Sequence, residues 1–214
     1  MGAAALGRAD VERGARAMGA TIRALRSYAH MSQFALGERV SMHTNYIGAI
    51  ERGEIWNPGL ETVDRVAEGL GVSVAVLAES YATAAEQLTL RVDTTGGRPQ
   101  RIAAAYDAKA LGAAIRLTRR LANLTQQQLA DETGLHRNHI GSIEAAEKPT
   151  RRIATIARIA HGLTAHLGNQ APPLLPLLVQ VFTGEATLAQ VRQAVASMPS
   201  GPSVARSPHA SADI

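Results

Sequence analysis

Met18, Ile22, Leu25 and Ala29 recur at steps of four, three and four residues, and Leu60, Val63, Ala67 and Leu70 at three, four and three. Each set lines one face of an α-helix. Two shorter helices are expected between them. Ser32 precedes "QFAL", whose free amides its hydroxyl can cap. The helix it opens lasts about two turns before "ERVSMH" breaks it, and the next begins near His43 and carries Ile47 and Ile50 inward. The pattern predicts helix, tight turn, helix.

The same pattern returns downstream. A shift of 93 residues aligns Met18–Leu70 with Leu111–Leu163 without a gap, giving 20 identities in 53 positions. Chance would give only a few, so one module is present twice. Thr125 replaces Ser32 as the cap before "QQQL", and Gly134 stands in the turn where the first copy has Ser41. Glycine takes a left-handed turn at almost no steric cost, whereas a serine held there would cost about 1 kcal/mol. Gly37 should also weaken the first copy's short helix, which makes that copy the less stable or the more diverged.

Outside the repeat the pattern is thinner. An alanine-rich helical stretch follows Ser80, then "LTLRVD" alternates Leu88, Leu90 and Val92, then come the turn residues "TTGGRP". The alternation suits a short strand, for which "LLVQVF" near Val179 and Val181 is the obvious partner, as a small two-stranded ribbon. Leu188, Val191, Val195 and Met198 step as a final helix that packs on the core or on another subunit. The tail from Pro199, rich in proline, serine and alanine, should be disordered. The expected organisation is a first domain over 8–80, a linker over 81–107, a second domain over 108–170, a C-terminal helical extension over 171–198 and a tail over 199–214.

Aromatic residues make up only 3% of the chain and hydrophobic residues 46%, and cysteine is absent. Thin aliphatic packing favours an all-α fold over a sandwich or barrel. The missing cysteines remove disulfides, thiolate metal sites and cysteine nucleophiles together, and agree with a reducing cytosol. The start "MGAAALGRAD" lacks the basic and apolar regions of a signal peptide. The best apolar run, "APPLLPLLVQVF", is broken by three prolines and too short for a bilayer, so no membrane contact is expected and a cytoplasmic, nucleoid-associated location is. The net charge of +4 is unevenly spread: residues 1–95 hold nine arginines against eleven acids, and residues 96–214 thirteen basic against seven acidic side chains. A polyanionic partner would prefer the second half.

With their spacing, "IRALRSYAHMSQFALGERVSMHTNYIGAIERGEIWNPGLETVDRVAEGL" and "IRLTRRLANLTQQQLADETGLHRNHIGSIEAAEKPTRRIATIARIAHGL" resemble the helix-turn-helix module of the Cro/CI-type phage repressors, the xenobiotic-response-element family of bacterial regulators. The resemblance implies two tandem lambda-repressor-like bundles, each placing its third helix in the major groove of double-stranded DNA, and a repressor's role. The recognition helices become His43–Arg52 and His136–Ala145. Their early outward residues reach base edges while inward ones hold the bundle, which nominates Thr44, Asn45 and Ala49 in one copy and Arg137, Asn138 and Ser142 in the other. Arginine pairs in two prongs with guanine and asparagine with adenine. Gly48 and Gly141 would admit a groove wall or serve a helix–helix contact.

By the same resemblance Gln33 and Gln126 hold phosphate, with an exposed helix-forming glutamine as the plain alternative. Tyr46 and His139 would touch sugar or phosphate, and Arg52, Asn57, Lys148, Arg151 and Arg152 would meet the backbone after the recognition helix. Arg26 with Glu51 and Arg119 with Glu144 look like the internal ion pairs tying the first helix of each module to the third.

Other chemistry finds little support. His136 and His139 lie three apart, but no cysteine or carboxylate pair completes a zinc site, and no catalytic constellation is recognisable, so neither a metal, a cofactor nor an enzyme is expected. Because the sites differ, one chain could act as a pseudo-dimer on an asymmetric operator, with a homodimer through the C-terminal helix as a further arrangement. The alternative is an antitoxin or adaptor whose first module grips a protein partner.

Overall fold

The computed structural model describes residues 6–82, 106–147, 150–167 and 173–197. The first repeat forms α1 (Arg8–Tyr28), α2 (Gln33–Val40), α3 (Thr44–Glu51), α4 (Leu60–Leu70) and α5 (Val74–Ala82). The second forms α6 (Ala108–Leu121), α7 (Gln126–Thr133), α8 (Arg137–Glu144), α9 (Ile153–Leu167) and α10 (Leu174–Thr183), followed by α11 (Leu188–Ala196). The chain is all-α, two tandem helix-turn-helix bundles, and no strand occurs among the described residues.

The stepped apolar positions make the two cores. Met18, Ile22, Leu36, Ile47, Ile50 and Val63 are buried in the first bundle, and Leu111, Ile115, Leu129, Ile140, Ile143 and Ile156 at the same offset in the second. Burying each such side chain stabilises the fold by roughly 1.5–3 kcal/mol. The third helix comes close to the first because position 19 has no side chain. A Cβ on Gly19 would lie 2.4 Å from the Ile50 carbonyl oxygen, and one on Gly112 2.5 Å from that of Ile143. Gly37, expected only to weaken α2, serves a tight approach instead, since a Cβ there would meet the Met42 carbonyl oxygen at 2.6 Å.

The proposed ribbon is not formed. "LLVQVF" lies in α10, and "LTLRVD" falls outside the described residues. A short apolar run does not separate strand from buried helix by period alone. Here Leu174, Leu175, Leu178, Val179, Val181 and Phe182 are all buried at helical spacing, and Pro176 falls in the first turn, where its missing N–H leaves no bond unmade.

Helix α10 occupies in the second bundle the place that α5 occupies in the first. It packs on α6 and α9 as α5 packs on α1 and α4, and α5 and α10 pack on each other. Their buried positions coincide, Val74, Leu77, Ala78 and Tyr81 against Leu175, Leu178, Val179 and Phe182. The seam has a second part, a single antiparallel bridge between Gly59 and Arg152. The Leu60 amide donates to the Arg151 carbonyl and the Ile153 amide to the Pro58 carbonyl. Shifting either bond by 93 residues gives the other, so the bridge has the reciprocity of a twofold axis passing between equivalent residues. Helix α11 buries Val191 and Val195 against α6 and leaves Leu188 38% exposed; Met198 and the tail lie outside the described residues.

Candidate nucleic-acid interface

Each recognition helix is set by a cap, a turn and a second cap. The Ser32 hydroxyl accepts from the Ala35 amide at 3.0 Å; the Thr125 hydroxyl accepts from Gln128 at 3.1 Å, and Gln128 returns the bond by accepting from the Thr125 amide. The turn is left-handed in both modules, at Ser41 (φ 52) and at Gly134 (φ 64). Serine thus holds the strained conformation rather than bending away. His43 and His136 then cap α3 and α8, each accepting through Nδ1 from the amide of Asn45 or Asn138 at 3.2 Å. An imidazole that accepts at Nδ1 carries its proton on Nε2.

Ile47 and Ile50, with Ile140 and Ile143, anchor the helices inward. The opposite face presents Asn45 and Tyr46, exposed, with Thr44 and Ala49 half-buried; in the second module Arg137, Asn138 and His139 are exposed and Ser142 half-buried. Gln126, Arg137, Asn138, Gly141, Ser142 and Glu147 line one shallow polar depression. Gly48 and Gly141 face the glutamine of the preceding helix. A Cβ on Gly48 would lie 3.4 Å from Gln33 Oε1, and one on Gly141 3.7 Å from Gln126 Oε1.

Those glutamines are tied inward. Gln33 Nε2 donates to Glu51 Oε2 at 2.8 Å and Gln126 Nε2 to Glu144 Oε2 at 3.0 Å. The same carboxylates receive two-pronged arginine forks, Arg26 on Glu51 at 2.6 and 3.0 Å and Arg119 on Glu144 at 2.6 and 2.9 Å. Each arginine also donates to a turn carbonyl, Met31 or Leu124, at 2.7 Å. Burial pushes both carboxyls up, yet the hydrogen bonds from the arginine and the glutamine, with the arginine's charge, hold them below the usual glutamate range. First helix, turn and recognition helix are thereby joined at one buried carboxylate.

The expected backbone contacts separate into two groups. Arg52 is closed on Glu54 by two bonds of 2.7 and 2.9 Å. Asn57, Arg151 and Arg152 lie at the seam between modules: Asn57 Oδ1 accepts from the Ala154 amide at 3.1 Å, its carbonyl accepts from Arg152 at 3.0 Å, and Arg151 pairs with Glu61 at 3.0 Å. Lys148 lies outside the described residues. Arg116 escaped the sequence reading. It donates to the Glu144 carbonyl at 2.9 Å, stays 44% exposed, and shares a depression beside the end of α8 with Lys109 and Arg120. Its recurrence as Arg23 and the spacing of the three cations along α6 were the available signals.

Three further exposed aromatics, Tyr28, Phe34 and Trp56, join Tyr46 in the first module. Among the described residues no three His, Asp or Glu side chains cluster as a metal site, and no helix is long and apolar enough to cross a membrane. A family model described as a helix-turn-helix domain matches residues 17–79 and again residues 110–171. No curated protein and no solved structure matches the chain.

Proposed function

Since the chain belongs to the helix-turn-helix domain family, with two tandem modules, we propose that it is a sequence-specific double-stranded DNA-binding transcriptional repressor that works as an intrachain pseudo-dimer on an asymmetric operator, in the cytoplasm at the nucleoid. One observation carries the pseudo-dimer: the reciprocal backbone bonds around Gly59 and Arg152, which relate the modules as two subunits of a symmetric dimer are related. Symmetric helix-turn-helix dimers read half-sites about 34 Å apart. Here the second helix is supplied by the same chain.

The readers differ, so the half-sites differ. Arg137 and Asn138 suit guanine and adenine, while Thr44, Asn45 and Ala49 offer a methyl, an amide and a methyl, which suit an A·T-rich half-site. Arg52 and Arg116 are the cations placed beside the ends of the recognition helices. Asn57, Arg151 and Arg152 hold the seam that spaces those helices, and any phosphate they meet lies near the dyad.

Selection of bound sequences from random DNA, then footprinting and stoichiometry on the best site, tests this. One chain per non-palindromic site is the expected result; two chains on a perfect palindrome, with Asn45→Ala silent, would overturn it. The exposed Tyr28, Phe34 and Trp56 favour a second reading, an adaptor or antitoxin in which the first module grips a protein. In that case DNA would be retained by the second module's residues alone.

A further inference from the structure

The seam encloses a cavity of about 250 Å³. It lies between α1 and α5 of the first module and α9 and α10 of the second, with Val11, Arg13, Tyr81, Ala157, His161 and Leu174 among its walls. Pockets for drug-sized ligands run to about 300–1,000 Å³ and favour domain interfaces, so this one suits a single ring.

The repeat shows what shape fills it. Ala157 corresponds to Asp64 at the offset of 93, Tyr81 corresponds to Phe182 through the matched burial of α5 and α10, and Arg13, inside α1, stands at that same offset from Tyr106, which lies just ahead of α6. At this second place there is a plug in place of a cavity: the Tyr106 ring stacks on Phe182, centroids 5.4 Å apart and planes inclined by 11°, and its hydroxyl donates to Asp64 at 3.0 Å. In the open place the plugging ring is replaced by an arginine and the buried acid by an alanine. Tyr81 remains as the wall, its own hydroxyl spent on the Trp56 carbonyl at 3.2 Å.

We infer that the open cavity binds a small planar aromatic carboxylate, whose ring takes the place that Tyr106 fills in the plugged copy and whose anionic group meets Arg13 and His161. The charge preference follows from the exchange. A phenol donates to a buried acid in one copy, whereas in the other that acid is gone and an arginine and a histidine face the space, with Asp10, held by Arg13 and by the Gly7 amide, as the remaining carboxylate on its wall. Arg13 also holds Asp10, but a guanidinium has five N–H donors and can serve both. Neutral aromatics forfeit the ion pair and saturated rings forfeit the flat stack.

The site spans both modules, so a ligand there biases their relative orientation, to the extent that it binds one orientation better than another. This regulatory half rests on the pseudo-dimer reading; the binding half does not. Calorimetry on the full chain without DNA, using phenylacetate, cyclohexylacetate and phenylacetamide as probes, tests binding. The expected result is saturable one-to-one binding of phenylacetate, at least tenfold tighter than either control and weakened tenfold or more by Arg13→Ala. Ala157→Phe should close the cavity; Arg13→Ala, on an exposed side chain, keeps the test decisive if that variant does not fold. Equal binding of all three probes, no saturable binding, or indifference to Arg13→Ala overturns the site.

With DNA, phenylacetate should change affinity for the two-half-site operator severalfold and leave a single half-site unaffected. Binding without that change would overturn the regulation and leave the site standing. Absence of any DNA binding would instead count against the function proposed above.

Discussion

The two modules share a buried framework and differ on the outward face of the third helix. Arg26–Glu51–Gln33 and Arg119–Glu144–Gln126 agree to within about 0.2 Å in each corresponding bond. Around them the first module carries Thr44, Tyr46 and an Arg52 closed on Glu54, and the second Arg137, His139 and, in the place of Arg52, Ala145. Strain is also exchanged rather than confined to one copy. Ser41 is left-handed where the second module has Gly134, and Ala146 is left-handed (φ 56) where the first has Gly53. Duplication has kept what orients the recognition helix and freed its outward face.

The largest expected effect tests the shared framework. Glu144→Ala leaves Arg119 buried and unpaired and should cost about 3–5 kcal/mol, with Glu51→Ala similar, measured by chemical denaturation. A much smaller loss in one module would end the equivalence. Acid probes the same pairs. Both glutamates titrate lower than in the unfolded chain, so the stability they lend is complete above about pH 4.3 and is lost as pH falls through their lowered values. Melting curves from pH 7 to pH 3 should show that loss, and Glu144→Gln should blunt it.

Next comes the difference in reading. Arg137→Ala should lose about 1–3 kcal/mol on the best site and relax preference at one base pair, whereas Thr44→Ala should cost less; equal losses in binding assays would mean the modules read alike. Ser41→Gly should then stabilise the first module by about 1 kcal/mol, and Ala146→Gly the second by a similar amount, readable as shifts in melting temperature. The smallest effect concerns charge. Glu54→Ala frees Arg52 and should steepen the dependence of DNA affinity on salt by about one while leaving melting unchanged.

Periodicity made the helices legible, since Met18, Ile22, Ile47 and Ile50 repeat with their counterparts at one fixed offset. Recurrence also drew attention to Arg26 and Glu51, because identical residues at identical separation invite a shared contact. What stayed hidden depended on tertiary neighbours. Val179 and Val181 alternate like a strand, and only the burial of Leu174, Leu175, Leu178 and Phe182 around them makes a helix. Asn57 and Arg152 look like surface polar residues until the seam brings them together across 95 positions. Arg116 was lost among neighbouring cations, as its hydrogen bond goes to a main-chain carbonyl and the carboxylate it also approaches is already held by Arg119.

The bridge between Gly59 and Arg152 has a consequence for dosage. A regulator whose two readers must first meet as separate chains occupies its site with roughly the square of its concentration, so halving the supply nearly quarters the occupancy at low levels. Here the pairing is internal and survives any dilution. On the pseudo-dimer reading, occupancy should rise in simple proportion to the number of molecules, with no threshold to cross, and a cell holding a handful of copies would still be regulated by them.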